Sequence, residues 1–269
     1  MIGMDTHEVY PNAPLVLVAL ELRHPPATEP LSMSQQRLLK DLLSGRLPIM
    51  RRAQQINFEI TAIGAVPPVS TTEEFPRFSN RDGTMAVSMR TSSIVIEASQ
   101  YDGWDDFRLL ALEAFSARMQ VAPVDGVERI GLRYIDEIRV PDVPPEWSQW
   151  VHDSLLGPSR GESVRLPLSQ WQGVGVYGEQ PGCSLVLRYG PRQGHAVDPN
   201  ADIRRVLHSS DGEFFLMDLD SFWTPKQGTP EFEIEAALRI CDDLHHPVRG
   251  LFESLITNRL REEVLRDGS

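Results

Sequence analysis

Residues 127–140 read VERIGLRYIDEIRV, and their pattern indicates the kind of fold. From Ile130 to Tyr134, apolar side chains alternate with charged or small ones, which is the period-two pattern of a strand with one buried face. The apolar positions change phase after Tyr134 and continue at Ile135 and Ile138, and this change predicts a β-bulge. This stretch is therefore the longest strand candidate of the sequence, in a sheet that helices cover on one face.

Other segments with strand or helix patterns lie on both sides of this stretch. Alternation or short apolar runs predict strands at 14–23, 55–63, 75–79, 85–90, 93–98, 164–176, 184–189, 203–208 and 213–222. Helical spacing predicts one helix over 35–43, capped by Ser34, and a second that begins at Asp102. A helical stripe then runs from Glu231 to Arg266, and Pro247 is expected to kink or divide it.

This order of elements predicts an α+β fold. We expect two similar halves, each an antiparallel sheet covered on one face by helices, with a long C-terminal helical segment. The best candidate linker is Pro141 to Pro145, which separates an N-terminal half at 1–140 from a C-terminal half at 146–269. One continuous domain is the alternative. The sequence contains no repeat, so an internal duplication is a hypothesis about topology alone.

The composition limits the classes of function. Of 269 residues, 41% are hydrophobic and 24% charged, as in folded proteins with a packed core. Cys183 and Cys241 make neither a disulfide framework nor a CxxC spacing, so we expect a reducing compartment and no metal. The first twenty residues lack a basic start, and the longest apolar run, 13–20, is far shorter than the roughly 20 residues of a spanning helix. We expect a cytoplasmic protein without a signal peptide or a membrane segment.

The formal net charge of -12 argues against direct binding of nucleic acid, because that affinity comes mainly from lysine and arginine contacts to phosphates. Such a charge ordinarily keeps a protein soluble. A second interpretation is an acidic surface for a basic protein partner. The sequence makes no prediction of oligomeric state.

Charged residues within the 127–140 strand are the first candidate for a functional site. Arg133 and Asp136 interrupt an otherwise apolar pattern, and burying them costs free energy unless they have partners. One interpretation is an ion-pair or hydrogen-bond network that crosses the sheet. The other is a binding patch, which would also include Tyr134.

Three further residues are candidates for the same patch. Asp218 and Asp220 are two positions apart on a predicted strand, so both carboxylates project from one face. Such a pair suits a metal or acid-base site, or it can simply pair with arginines. His245 belongs to the apolar stripe of the C-terminal helix and needs a buried hydrogen-bond partner. The adjacent His246 points in another direction, so the two histidines do not predict a metal site.

Sequence motifs of catalysis give little support to an enzyme. Gly173, Gly175 and Gly178 match GxGxxG, but no helix is predicted directly after them, so we favour a glycine-bearing strand and hairpin. GxSxG, HExxH, Walker and SxxK motifs are all missing from the sequence. We predict no cofactor. Whether the protein is an enzyme stays open, with a non-catalytic role favoured.

The chain resembles a family of sporadically distributed, uncharacterised bacterial proteins of about this length. The residues that carry the resemblance are the segment 10–14 (YPNAP), the central strand 129–136 (RIGLRYID), and Leu244-His245, Phe252-Glu253 and Ile256-Thr257 in the C-terminal helix. Family members have asparagine where this sequence has Asp136, and Pro247 also departs from the family pattern. The resemblance implies a cytoplasmic location, no agreed catalytic residues, and carriage on mobile or defence-related loci.

Two hypotheses of function follow. The first is a non-catalytic interaction protein, antitoxin-like, immunity-like or a phage-defence accessory, that binds a protein partner through an acidic surface. The alternative is a small-molecule-binding or hydrolytic enzyme whose site gathers Arg133, Asp136, Asp218, Asp220 and His245. In either case we expect the sheet face opposite the helices, or the seam between the halves, to carry function.

Overall fold

Strands and helices account for most of the described residues in the computed structural model. The structure describes residues 10–59, 69–158, 171–199, 201–205 and 211–267. The strands are β1 (Leu15–Arg23), β2 (Ile49–Glu59), β3 (Val69–Ser79), β4 (Met85–Met89), β5 (Ser93–Ala98), β6 (Arg129–Ile138), β7 (Gly173–Gly178), β8 (Cys183–Gln193) and β9 (Glu213–Trp223). The helices are α1 (Met33–Leu43), α2 (Trp104–Val121), α3 (Ile234–Leu255) and the single turn α4 (Asn258–Leu260), with short 3-10 turns at Trp147–Gln149 and Asp153–Leu155 and a π turn at Arg261–Leu265.

The nine strands of the described ranges form one antiparallel sheet in the order β2-β3-β4-β5-β1-β6-β9-β8-β7. The expectation of an α+β fold is met, but the strands join in a single sheet because β1 pairs with β6 at its centre. Strands β2 to β5 lie on one side of this central pair and β7 to β9 on the other. The candidate linker at Pro141 to Pro145 therefore follows a strand that pairs with both sides of the sheet.

The long helices pack on one face of the sheet. In the central strand β1, Val18, Leu20 and Leu22 are fully buried, whereas the residues between them are half-buried. The buried positions share one hydrophobic core with Leu39 of α1 and Leu238 of α3. No described helix covers the opposite face, which the half-buried positions of β1 occupy.

The bulge that the sequence predicts in β6 lies in β1 instead. Leu17 pairs with Ile135 and Leu15 with Asp136, so the extra residue is Val16. Strand β6 keeps its phase, because its pairing with β9 is regular from Ile130 to Ile138. The apparent change of phase in the sequence has another cause: Ile135 lies on the uncovered face, and Asp136 occupies a buried position among apolar residues.

Both predicted helix caps are displaced by one or two residues. Helix α1 begins after Ser32, not Ser34, because Ser32 accepts a hydrogen bond from the backbone of Gln35 while the Gln35 side chain accepts one from the backbone of Ser32. This capping box satisfies two exposed donors at once. Helix α2 begins after Gly103, not Asp102, with a φ of 127° at Gly103 that favours glycine.

Helix α3 runs through Pro247 without a break. Pro247 removes the helical donor of the Asp243 carbonyl, and both residues are exposed to solvent. The helix ends at Leu255, because the next residue, Ile256, forms a bridge with Val151. Thr257 then caps the following turn by accepting from Leu260. No helix among the described residues is long and apolar enough to cross a membrane.

An irregular segment crosses one end of the uncovered face. We call residues 194–199 and 201–205 the strap. It begins where Gly194 donates to the Gly212 carbonyl beside β9, and it reaches the β4 and β5 side, where Arg204 donates to the Gly83 carbonyl. Ser99 Oγ donates to the Arg204 carbonyl at 2.5 Å. The strand predicted at 203–208 is wrong for residues 203–205, which are irregular, and its remaining residues lie outside the described ranges.

Candidate functional site

Charged side chains of alternating sign extend across the uncovered face of the sheet. Strand geometry explains the arrangement, since every second residue of each strand projects from the same face. We call this set the charged face, and its members are Glu21 of β1, Arg77 of β3, Glu97 of β5, Arg129 and Arg133 of β6, Arg188 of β8, and Asp218 and Asp220 of β9.

The centre of the charged face is a bidentate pair between β6 and β9. Arg133 donates from Nε and Nη2 to the two oxygens of Asp218, at 2.7 and 2.8 Å. A second guanidinium, that of Arg188, lies 3.5 Å from the same carboxylate. The Asp218 side chain is 5% exposed, whereas that of Arg133 is 47% exposed. The carboxylate is therefore enclosed, and one edge of the Arg133 guanidinium faces solvent.

Arg129 forms the second connection across the strands. Its guanidinium lies 3.2 Å from Glu21 of β1 and 3.5 Å from Asp220 of β9, and it stacks over the ring of Phe222 at 4.7 Å. Gly131 leaves the space that this requires, because a Cβ there would lie 2.4 Å from Nη1 of Arg129. A similar pair farther along the sheet joins Arg77 Nη1 to Glu97 at 2.6 Å, with Ser88 as a second acceptor at 2.9 Å.

This arrangement is suited to recognition. A general acid or base needs a proton that it can exchange with substrate, and the Asp218 carboxylate already accepts two charge-assisted hydrogen bonds. The hydrogen bond with Asp218 raises the pKa of Arg133 further above its ordinary value. Asp220 likewise lies beside a guanidinium. The face thus presents preformed, mutually oriented charges over several strands.

The other candidate residues lie beneath the helices. Tyr134 projects from β6 to the covered face, where its hydroxyl lies 2.8 Å from Nδ1 of His245 on α3. The imidazole stacks on the indole of Trp104, with centroids 4.3 Å apart and an interplanar angle of 7°. Burial raises the pKa of Tyr134 well above its ordinary value. The buried partner that the sequence required for His245 is therefore the Tyr134 hydroxyl, and the pair connects β6 to α3.

Asp136 is a buried acid on the same covered face. Only 6% of the residue is exposed. Burial first, and then the charge of Asp218, raise the pKa of this carboxyl to about 8. At neutral pH the side chain is therefore mostly protonated and neutral, which suits an apolar setting.

The sheet divides the six candidate residues into two groups of three. Arg133, Asp218 and Asp220 lie together on the uncovered face, as the spacing of the two aspartates predicted. Tyr134, Asp136 and His245 lie on the covered face. A single substrate cannot contact both groups, because the backbone of the sheet lies between them.

Sequence reasoning missed Arg129, Arg188, Glu21 and the Arg77–Glu97 pair. Strand alternation could have indicated these residues, since they occupy strand positions next to buried residues. The sequence pattern does not contain the pairing register of the strands, which brings Glu21 of β1 and Asp220 of β9 to the same arginine. The GxGxxG glycines form β7 and its hairpin with β8, so the interpretation as a strand is confirmed.

Within the described ranges, no group of three or more histidine, cysteine, aspartate or glutamate side chains is arranged to hold a metal ion. Comparison of the chain with protein-family models, with curated proteins and with solved structures gave no match.

Proposed function

We propose that this protein is a non-catalytic interaction protein that binds a protein partner on the charged face. The observation that carries the proposal is the Arg133–Asp218 pair on a sheet face that no described helix covers. Arginine is enriched at protein–protein interfaces and among the residues that contribute most of the binding energy.

The exposed arginines of the charged face indicate which hydrogen-bond donors a partner could contact. The Arg133 and Arg188 side chains are 47% and 38% exposed, and both guanidinium groups lie over the enclosed carboxylate of Asp218. Their remaining N–H groups are available to carboxylate or carbonyl acceptors of a partner. Because Asp218 already orients them, little side-chain entropy is lost on binding.

The acidic character of the chain acts at longer range. Exposed acids are distributed over the described surface, for example at Asp105 of α2, Asp243 of α3, Glu179 beside β7 and Asp211 beside β9. With a formal net charge of -12, the field of the whole protein favours approach of a basic partner. We therefore propose a partner of basic net charge whose contact patch carries acceptors for the two arginines.

The cellular role that fits this proposal is antitoxin-like, immunity-like or that of a phage-defence accessory, acting in the cytoplasm. Its support is the resemblance of the central strand and the C-terminal helix to a sporadically distributed bacterial family. The alternative of a hydrolytic enzyme is less well supported, because its proposed residues lie on opposite faces of the sheet.

A pull-down with matched variants tests the proposal. The full chain, Arg188→Glu and the control Arg239→Glu are used as bait at low salt in lysate of the native host, followed by mass spectrometry. Arg239 is exposed on α3, away from the charged face. We expect a stoichiometric basic partner with the parent and the control, and at least tenfold less with Arg188→Glu. No partner with the parent, or equal recovery by both variants, would overturn the proposal.

A further inference from the structure

A buried cluster of charges lies where the strap meets the ends of β1 and β6. The carboxylate of Glu137, whose side chain is 1% exposed, accepts from Nη2 of Arg139 and from Nη2 of Arg205, each at 2.5 Å. The backbone N–H of Ala196 donates to it at 3.3 Å. Burial alone would raise the pKa of Glu137, but the hydrogen bond with Arg139 and the charge of Arg205 lower it below its ordinary value. Glu137 is therefore ionised.

The cluster holds more positive than negative charge. Two guanidinium groups share the single carboxylate of Glu137, and the Arg205 side chain is only 4% exposed. Among the described residues, Asp211 contacts the cluster through His195, whose Nδ1 lies 2.8 Å from Arg205 and whose Nε2 lies 2.9 Å from Asp211. The Asp211 side chain is 90% exposed, so solvent screens its charge.

Hydrogen bonding in the cluster is also incomplete. Among the described residues, neither the Nε of Arg205 nor that of Arg139 has an acceptor, although both atoms are buried. A buried donor without a partner costs about 1–3 kcal/mol, and more when the group is charged. A second anion close to the two guanidinium groups would balance the excess positive charge and supply the hydrogen-bond acceptor that is missing.

Both arginines line a cavity of about 230 Å³. This volume is several times the roughly 30 Å³ that a water molecule occupies in the liquid. Apart from Glu137 and Asn12, the rest of the wall is largely apolar and includes Val16, Ile138, Val264 and Leu265. A small occupant with an apolar body and one anionic end matches such a wall.

We propose that this cavity binds a small organic carboxylate, whose anionic end pairs with Arg205 and Arg139 and whose apolar body contacts Val16 and Leu265. The site is separate from the charged face and does not depend on the function proposed for it. A carboxylate suits the cluster because guanidinium groups bind it through directed, charge-assisted hydrogen bonds.

The test uses hexanoate and hexan-1-ol, which share an apolar chain and differ in charge. Binding to the full chain is measured by calorimetry and by shifts of labelled methyl groups. We expect hexanoate to bind at least tenfold more tightly than hexan-1-ol and to shift the methyl signals of Ile138, Val264 and Leu265. The signals of Val174 and Val176, exposed on β7, should not move.

Arg205→Gln is expected to weaken hexanoate binding at least tenfold, while the control Arg239→Gln, at an exposed position of α3 outside the cavity wall, binds as the parent does. If Arg205→Gln does not fold, methyl mapping on the parent still decides the matter. Three results would overturn the proposal. The first is equal binding of hexanoate and hexan-1-ol, and the second is no binding of either compound when it is in tenfold excess over a millimolar sample of the protein. The third is methyl shifts that are confined to residues outside the cavity.

Discussion

Arg133 and Asp218, 85 positions apart in the chain, form a bidentate ion pair that joins β6 to β9. The carboxylate is enclosed and the guanidinium is half exposed, so removing the carboxylate and removing the guanidinium should lower the stability by different amounts. Loss of the carboxylate leaves both Arg133 and Arg188 without their acceptor. Loss of the guanidinium leaves Asp218 with Arg188 alone.

Asp218→Asn should therefore lower the free energy of unfolding by about 2–3 kcal/mol, the range for breaking an enclosed charged hydrogen bond. Urea denaturation followed by circular dichroism measures it. Asp243→Asn, at an exposed position of α3, is the matched control and should change stability by less than about 0.5 kcal/mol. Similar values for the two variants would mean that the pair does not stabilise the sheet.

Asp136 predicts a dependence of stability on pH. Its pKa is raised from 3.8 in the unfolded reference to about 8 in the folded protein, so the folded state binds the extra proton between these values. Its contribution to stability is complete below about pH 4 and falls by about 1.4 kcal/mol per pH unit until pH reaches about 8. Asp136→Asn removes the titration.

Urea denaturation of the parent and of Asp136→Asn at pH 5, 6, 7 and 8 measures the effect. The stability of the variant relative to the parent should increase steadily across this range, because asparagine stays neutral. A constant difference between the two proteins would show that Asp136 does not titrate in it.

Tyr134 is expected to stabilise the contact between β6 and α3 through its hydroxyl. Tyr134→Phe removes the 2.8 Å hydrogen bond to His245 and should cost about 1 kcal/mol. Because the imidazole stacks on Trp104, the fluorescence of that indole should also change. Tyr177→Phe, on the half-exposed surface of β7, is the control. Unchanged stability and emission in Tyr134→Phe would contradict the assignment.

Gly178, at the end of β7, is a position that no other residue suits. Its φ is 83°, and a Cβ would lie 2.4 Å from the Cys183 carbonyl oxygen, a backbone atom with little freedom to move. Gly178→Ala should destabilise the fold by about 1–3 kcal/mol. Gly45→Ala, where no atom lies within 4 Å of the added Cβ, should have little effect or a stabilising one. Thermal melting of the two variants compares them directly.

The sequence predicted those features that depend on local periodicity. Strands β1 and β5 and the helical stripe of α3 follow from the spacing of apolar residues, and the common face of Asp218 and Asp220 follows from strand alternation. Pairing register is a long-range property, so the partners of those aspartates were beyond the reach of one sequence. The bulge was predicted in the wrong strand because Asp136 was interpreted as a polar surface residue. Its raised pKa instead makes it a neutral residue of the core.

The position of β1 at the centre of the sheet has a consequence for synthesis of the protein. Strands β1 to β5 and helix α2 precede β6 in the chain, so they leave the ribosome first and can pair among themselves. Until β6 emerges, one edge of β1, with the sequence LVLVALELR, has no neighbour. Apolar strand edges of this kind recruit other chains. Nascent chains that stall before residue 129 should therefore aggregate, and chaperone demand should be greatest in that interval of translation.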